Sequence, residues 1–305
     1  MIYSPYHRLR TAEKLLERIN RRSPACFQFL KDSNPPATPR PTGADRMIQS
    51  GLTKTRQEGN VAIVELDRPK KRNALSQDLI NELIEVLSEV DQDATVRAVI
   101  LTGSGQGPFC AGADLGELIN ISTVEAYQRG WLKDLNDALD SFRTPIIAAV
   151  RGFAFGGGFE LALLCDMIFA SADAKFGFPE ICLGTLPGMG GTQRLTKTVG
   201  KQKALELILT GLPVTASEME RRGVVNRVVT MDQDVLEEAL GVAQIIATRS
   251  SSALRLAKSA VKAAETTTLN AGLEIERSSY YSSFSFPDCQ EGIAGFLEKR
   301  PVTFR

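Results

Sequence analysis

Short apolar runs alternate with amphipathic stretches from Asn60 onward, at intervals of roughly 30 to 50 residues, and such alternation builds an α/β domain. Residues 61–66 (Val-Ala-Ile-Val-Glu-Leu) read as a strand that stops at the turn Asp67-Arg68-Pro69. Ser76 then supplies an N-cap for a helix whose Leu79, Ile80, Leu83, Leu87 and Val90 share one face. The pattern continues with a β-rich segment over 96–102, a glycine-rich loop to Gly112, a helix over 123–142, a strand over 145–150 and a helix over 159–169. No self-similar period accompanies it. Past residue 250 the strand signal stops, and 253–264, 269–281 and 291–299 read as helices carrying Tyr280, Tyr281, Phe284 and Phe296. Apolar surface on such helices packs on the same chain or on a second subunit.

The first 50 residues differ from the rest. They hold nine Lys/Arg against four Asp/Glu and end in Pro35, Pro36, Pro39 and Pro41, which can neither hold a helix nor join a sheet. Leu9, Leu15, Leu16 and Ile19 fall on one side of a helix with Arg8, Arg18, Arg21 and Arg22 mostly elsewhere, the pattern of an organelle transit peptide. Glu13 and Glu17 count against that reading, and a disordered extension is the alternative. The expected organisation is a leader and linker over 1–50, a core over 51–250 and a C-terminal helical region over 251–305.

Charge and cysteine usage exclude several function classes. Lys+Arg and Asp+Glu both number 36, so no overall field draws the chain to nucleic acid or an anionic membrane. The five cysteines, Cys26, Cys110, Cys165, Cys182 and Cys289, contain no CxxC, which points to free thiols in a reducing compartment and away from a zinc site. No apolar run reaches the roughly 18 residues that a bilayer requires. The only histidine is His7 in the leader, so imidazole triads, imidazole proton shuttles and two-histidine metal sites are out of reach. Any proton transfer falls to carboxylates.

Two glutamates stand out for that work. Glu160 closes Gly156-Gly157-Gly158-Phe159-Glu160, where three glycines after an apolar strand can expose consecutive N–H groups at a helix N-terminus and so cradle developing negative charge. Read blandly, the triplet is a tight turn with a solvent-facing glutamate. Glu180 sits in Phe176-Gly177-Phe178-Pro179-Glu180, ahead of the glycine-rich turn around Gly188, and apolar surroundings plus a neighbouring carboxylate would raise its pKa. One of the pair could then act as acid and the other as base. A second loop, from Gly103 to Asp114, lacks the third glycine of a dinucleotide fingerprint because Pro108 stands there. It remains able to present an N–H from Ala111 or Gly112.

Taken in order, Phe109-Cys110-Ala111-Gly112-Ala113-Asp114-Leu115, then Gly152-Phe153-Ala154-Phe155-Gly156-Gly157-Gly158-Phe159-Glu160-Leu161-Ala162, then the string from Phe176 through Pro179-Glu180 and Gly188-Met189-Gly190-Gly191-Thr192-Gln193-Arg194-Leu195 resemble the enoyl-CoA hydratase/isomerase (crotonase) superfamily. The likeness spans about residues 61–300, including the tail from Glu291 to Arg300, and is greatest to the mitochondrial short-chain enoyl-CoA hydratases. It implies a right-handed superhelix of ββα turns with a C-terminal all-helical trimerisation region, in trimers that pair into hexamers. It implies an oxyanion hole made by the N–H groups of Ala111 and Gly157, with Glu160 deprotonating water and Glu180 protonating the α-carbon. Ala111, Gly112, Ala113, Asp114, Gly157, Gly188 and Phe296 would line the acyl-CoA site, and Lys70 and Lys299 would meet its phosphates. No metal and no cofactor beyond the CoA of the substrate is implied. The activity implied is hydration of trans-2-enoyl-CoA to 3-hydroxyacyl-CoA in fatty-acid or amino-acid breakdown, in the mitochondrial matrix or otherwise the cytoplasm. An enoyl-CoA isomerase, a methylglutaconyl-CoA-type hydratase and an RNA-binding family member are the other readings. Phe159 and Phe178 are bulkier than the family pattern beside its glutamates, which would narrow the acyl pocket.

Overall fold

The computed structural model describes residues 48–304, with side chains from residue 51 onward. The transit-peptide reading, His7 and Cys26 lie outside the described residues. The described chain divides into two compact units at Ala243/Gln244. That division falls a few residues before the expected boundary at 250.

The core unit is built on a seven-stranded sheet in the order β1-β2-β3-β4-β5-β7-β10. Strands β1 (Ile48–Ser50), β2 (Thr53–Glu58) and β3 (Val61–Leu66) pair antiparallel; β4 (Ala98–Gly103) and β5 (Ile146–Val150) follow in parallel. Strand β6 (Phe153–Phe155) belongs to a second sheet, while β7 (Met167–Ser171) pairs with β5 and with β10 (Arg227–Val229), both in parallel. The second sheet is completed by β8 (Lys175–Gly177) and β9 (Val214–Thr215), in the order β6-β8-β9. Every residue of β4 and β5 is buried, which is why these strands read as unbroken apolar runs: a parallel sheet covered on both faces has no polar side to mark by alternation.

Helix α1 (Gln77–Gln92) follows β3, and the Ser76 hydroxyl accepts the Leu79 N–H at its start. Its buried face holds Leu79, Ile80, Leu83, Val86, Leu87 and Val90, the expected set with Val86 added. Each such side chain contributes about 1.5 to 3 kcal/mol of transfer free energy when fully buried. The expected helix over 123–142 is instead interrupted. After a short α2 (Leu115–Leu118), α3 (Thr123–Arg129) ends at Gly130 with φ 60° and α4 (Lys133–Asp140) begins after Leu132 with φ 65°. Two left-handed residues so close together break the helix axis, and periodicity alone does not register them. Helix α5 (Gly157–Leu164) also ends sooner than the expected 159–169. Cys165 turns extended, and Met167–Ser171 takes the sheet position between β5 and β10, so a buried apolar strand had the look of helix. The unit continues through α6 (Gly191–Val199), α7 (Lys201–Thr210) and α8 (Ala216–Arg221) into α9 (Val235–Ala247).

The C-terminal unit contains α10 (Ser251–Ala263), α11 (Leu269–Ser283) and α12 (Pro287–Glu298), an all-helical region as expected. Tyr280 and Phe284 meet edge to face at 4.9 Å between ring centres.

One buried residue fixes the loop that leads into the functional region. Asn73, with φ 56°, accepts the Arg68 N–H on Oδ1 at 2.9 Å and donates from Nδ2 to the carbonyls of Pro108 and Phe109 at 2.8 and 3.2 Å. Its amide thus ties the turn after β3 to the loop after β4. Gly103 leaves the space: a Cβ there would lie 2.5 Å from the Pro108 carbonyl oxygen. Replacing Asn73 with Ala strands three polar groups, one buried and two half-buried, and leaves a β-carbon at positive φ, so it should destabilise the protein by about 3 kcal/mol in chemical denaturation. A change below about 1 kcal/mol, no more than a single ordinary hydrogen bond contributes, would show that the loop holds without it.

Candidate active site

Three chain segments converge at the end of β6. On one side, residues 109–113 run beside β6: the Phe109 N–H donates to the Arg151 carbonyl, Cys110 to Phe153, and Phe155 back to Cys110. On the other side Leu75 donates to the Gly112 carbonyl and Asp114 to the Leu75 carbonyl, an isolated parallel bridge of Leu75 with Ala113. Residues flanking a bridge point their own N–H toward the partner, while the central residue turns its N–H away. Ala113 is that central residue, and its N–H has no acceptor among the described residues. It faces Gly157, whose would-be Cβ lies 3.6 Å from the Ala113 nitrogen. Gly157 opens α5, so its N–H is one of the four that a helix cannot satisfy internally.

The sequence reading placed the first of these donors at Ala111. The structure corrects it: the Ala111 N–H already donates to the Arg72 carbonyl at 3.0 Å. The open pair is Ala113 with Gly157. Gly112 permits their approach, with φ 98° and a would-be Cβ only 2.8 Å from the Phe155 carbonyl oxygen.

Glu160 lies in the first turn of α5 and is 1% exposed. Its Oε1 accepts the N–H groups of Met189 and Gly191, both at 2.7 Å. Burial raises its pKa above the ordinary carboxylate value; the N–H groups of Gly191, Met189 and Gly188 and the charge of Arg194 oppose that rise without cancelling it. Glu180 stands in the 3-10 turn Pro179–Leu183, with Oε1 at 2.9 Å from where a Gly156 Cβ would be. Gly156 has φ 53°, so both its backbone and its neighbour demand glycine. The Glu180 Oε2 is buried with no hydrogen-bond partner. Burial, aided by the nearby negative charge of Glu160, pushes Glu180 up to about 7. Both carboxyls therefore sit in one electrostatic neighbourhood, Glu160 held by the amides of a distant turn and Glu180 met only by its own amide, with Oε2 unpartnered.

Aromatic rings floor this region. Phe159 and Phe178 stack at 4.9 Å, and Phe176 meets Phe159 at 5.1 Å, all three within the main core. Gly191 lies over the Phe178 ring, which a Cβ at 191 would approach to 2.6 Å.

The other sequence candidates are distributed differently. Asp114 caps α2 by accepting the Gly116 N–H and pairs with Arg68 at 3.1 Å. Burial raises its pKa, but the Gly116 N–H and the charges of Arg68 and Lys71 outweigh it and hold the carboxylate below its ordinary range. This is an anchoring role. Gly188 is exposed at the turn that binds Glu160, and Lys70 is exposed in the turn Pro69–Lys71. Phe296 and Lys299 belong to the C-terminal unit, where Phe296 is exposed on α12 and Lys299 caps that helix with φ 53°. Sequence reasoning placed Ala113 along the acyl-CoA site but not as an open donor, and it missed the Met189 and Gly191 donors and Arg194, although all four stand in the quoted motifs. Among the described residues no cluster of three His, Cys, Asp or Glu could hold a metal ion, and no helix is long and apolar enough to cross a membrane.

Residues 56–305 match the model of the family described as enoyl-CoA hydratase/isomerase, and the chain belongs to that family. Relatives that it resembles carry the hydratase name. A probable enoyl-CoA hydratase of Rhizobium meliloti is 47% identical over 81% of this chain and 95% of its own length. The mitochondrial enoyl-CoA hydratase of Pongo abelii is 41% identical over 87% of this chain and 91% of its own. A crystal structure of enoyl-CoA hydratase from Bacillus anthracis superposes with a TM-score of 0.79 at 35% identity, covering 83% of this chain and 98% of that one. The expected α/β crotonase fold with a helical C-terminal region therefore holds.

The elevated Glu180 has a consequence for stability. A carboxyl whose folded pKa lies above its unfolded value favours the folded state below about pH 4.5, and that contribution is lost as pH rises toward about 7. Glu180→Gln should therefore raise Tm at pH 8, with the gain shrinking as pH falls to the ordinary carboxylate range. A gain that is constant across pH would contradict the assignment.

Proposed function

We propose that this chain adds water to trans-2-enoyl-CoA thioesters, giving 3-hydroxyacyl-CoA. The observation that carries the reading is a buried and a half-buried carboxyl, differently held, beside two open backbone N–H groups. In this scheme the thioester oxygen accepts hydrogen bonds from the N–H groups of Ala113 and Gly157. Glu160 takes a proton from water as the water oxygen bonds to the β-carbon. The double-bond electrons move through the α-carbon toward the thioester oxygen, whose developing charge the two N–H groups stabilise. Glu180, protonated below about pH 7, gives its proton to the α-carbon, and proton exchange between the two carboxyls and solvent restores the starting state. No redox step occurs, so the chemistry calls for no cofactor beyond the CoA of the substrate.

Two carboxylates favour hydration over double-bond isomerisation, which moves a single proton. Equal numbers of Lys+Arg and Asp+Glu disfavour an RNA-binding role. Relatives named as mitochondrial, in Pongo abelii and Dictyostelium discoideum, together with the basic leader, support a mitochondrial location. Exposed Tyr280, Tyr281, Phe284 and Phe296 support assembly into trimers or hexamers through the C-terminal unit. Lys70 and Lys299 are assigned to the CoA phosphates on charge alone. The Phe159–Phe178 stack supports a preference for short acyl groups.

Steady-state hydration of a graded series of enoyl-CoA thioesters tests reaction and pocket together. Glu160→Gln and Glu180→Gln should each lower kcat on crotonyl-CoA by about 10² to 10⁴-fold. Activity untouched by both substitutions would refute the scheme. Gly112→Ala, which forces a β-carbon against the Phe155 carbonyl and spreads the two N–H donors, should cost about 10² to 10³-fold in kcat while the protein still unfolds cooperatively. Retention of parental kcat would remove these donors from the reaction.

A further inference from the structure

We infer that Arg194 is a positioning residue for Glu160: its guanidinium locks the peptide that lies between the two N–H donors to Glu160 and ties their turn to helix α4. The inference rests on the hydratase reading for its kinetic consequence and on geometry for its substance. Met189 and Gly191 donate to the same oxygen, Glu160 Oε1. The carbonyl between them, that of Met189, accepts from Arg194 Nη1 at 3.1 Å. From the other end of the fork, Nη2 donates to Asn136 Oδ1 at 3.1 Å and lies 3.8 Å from Asp140 Oδ1. Asn136 and Asp140 belong to α4, which Leu135 and Leu139 root in the main core.

The local sequence is shaped around this side chain. Gly190 has φ 102°, and a Cβ there would fall 2.0 Å from Arg194 Nη1, so the turn closes over the guanidinium only because residue 190 is glycine. The Arg194 N–H donates to the Gly190 carbonyl at 2.8 Å as α6 begins, which sets the side chain to fold back over its own helix start. From α4's side, Leu132, in its left-handed conformation, packs toward Gly188. A planar fork reaches the Met189 carbonyl and Asn136 from two separate nitrogens held in one plane, an arrangement that a lysine's single nitrogen does not reproduce. The same cation offsets part of the burial cost of the Glu160 charge. The charged groups involved are Arg194, Glu160, Glu180 on the neighbouring 3-10 turn and Asp140 on α4.

Without the fork, the turn keeps its sequence but not its register, and a base displaced by about 1 Å costs about 10²-fold in rate. Arg194→Gln, Arg194→Lys and Asn136→Leu separate the parts, read by kcat and KM for crotonyl-CoA across pH and, without substrate, by carbon-13 NMR titration of the Glu160 carboxyl. Arg194→Gln should lower kcat by about 10²-fold with KM little changed, move the acidic limb to higher pH and raise the Glu160 titration midpoint. Arg194→Lys should return the midpoint toward the parent without restoring kcat. Asn136→Leu should lower kcat about tenfold and leave the midpoint in place. Parental kcat and an unmoved Glu160 midpoint in Arg194→Gln would overturn the inference, as would parental kcat in Asn136→Leu should Arg194→Gln fail to fold. If the unaltered protein hydrates no thioester, the hydratase reading falls, and the NMR comparison still decides whether Arg194 governs Glu160.

Discussion

Two amide hydrogens on one carboxylate oxygen hold the candidate site together. Glu160 is almost wholly buried, and an ionised carboxylate there would be costly without the Met189 and Gly191 N–H groups at 2.7 Å. Those donors come from a turn 29 and 31 residues away, so α5 and the start of α6 must be placed before Glu160 can serve as a base. Glu180 has only its own amide, and its buried Oε2 has no partner. Burial raises both carboxyls, and the two distant amides oppose that rise at Glu160, a contrast that suits the pair to opposite halves of one proton transfer.

Backbone geometry supplies the rest. Gly156, Gly112 and Gly190 each combine positive φ with a neighbour that a β-carbon would strike: the Glu180 carboxyl, the Phe155 carbonyl and the Arg194 guanidinium. Glycine here removes matter from the contacts between segments, which lets the loop after β4, the start of α5 and the turn before α6 close on one another. The parallel sheet fixes the spacing of the first two, because β4 and β5 are hydrogen-bonded neighbours and their continuations leave from the same end. Asn73 and the Leu75–Ala113 bridge then bind the loop to the segment after β3.

Much of this was legible in the residues. The strand at 61–66 matches β3, the face of α1 follows from its period, and the two glutamates stood out because a chain without core histidines leaves proton transfer to carboxylates. What escaped was conformational. Whether Ala111 or Ala113 offers a free N–H depends on which side of a one-residue bridge each faces, and the string Cys-Ala-Gly-Ala-Asp carries no mark of that. The break at Gly130 and Leu132 and the change from helix to strand after Leu164 turn on single backbone angles. Arg194 was visible as a letter in a motif, yet its part depends on where the Met189 carbonyl and Asn136 meet it in space.

The most direct test of the central proposal is a crystal structure of the protein with butyryl-CoA, a saturated thioester that occupies the site and cannot add water. Its carbonyl oxygen should lie about 3 Å from the nitrogens of both Ala113 and Gly157, with the β-carbon between the carboxyls of Glu160 and Glu180. A thioester oxygen bound away from that pair, or a β-carbon out of reach of either carboxyl, would contradict it.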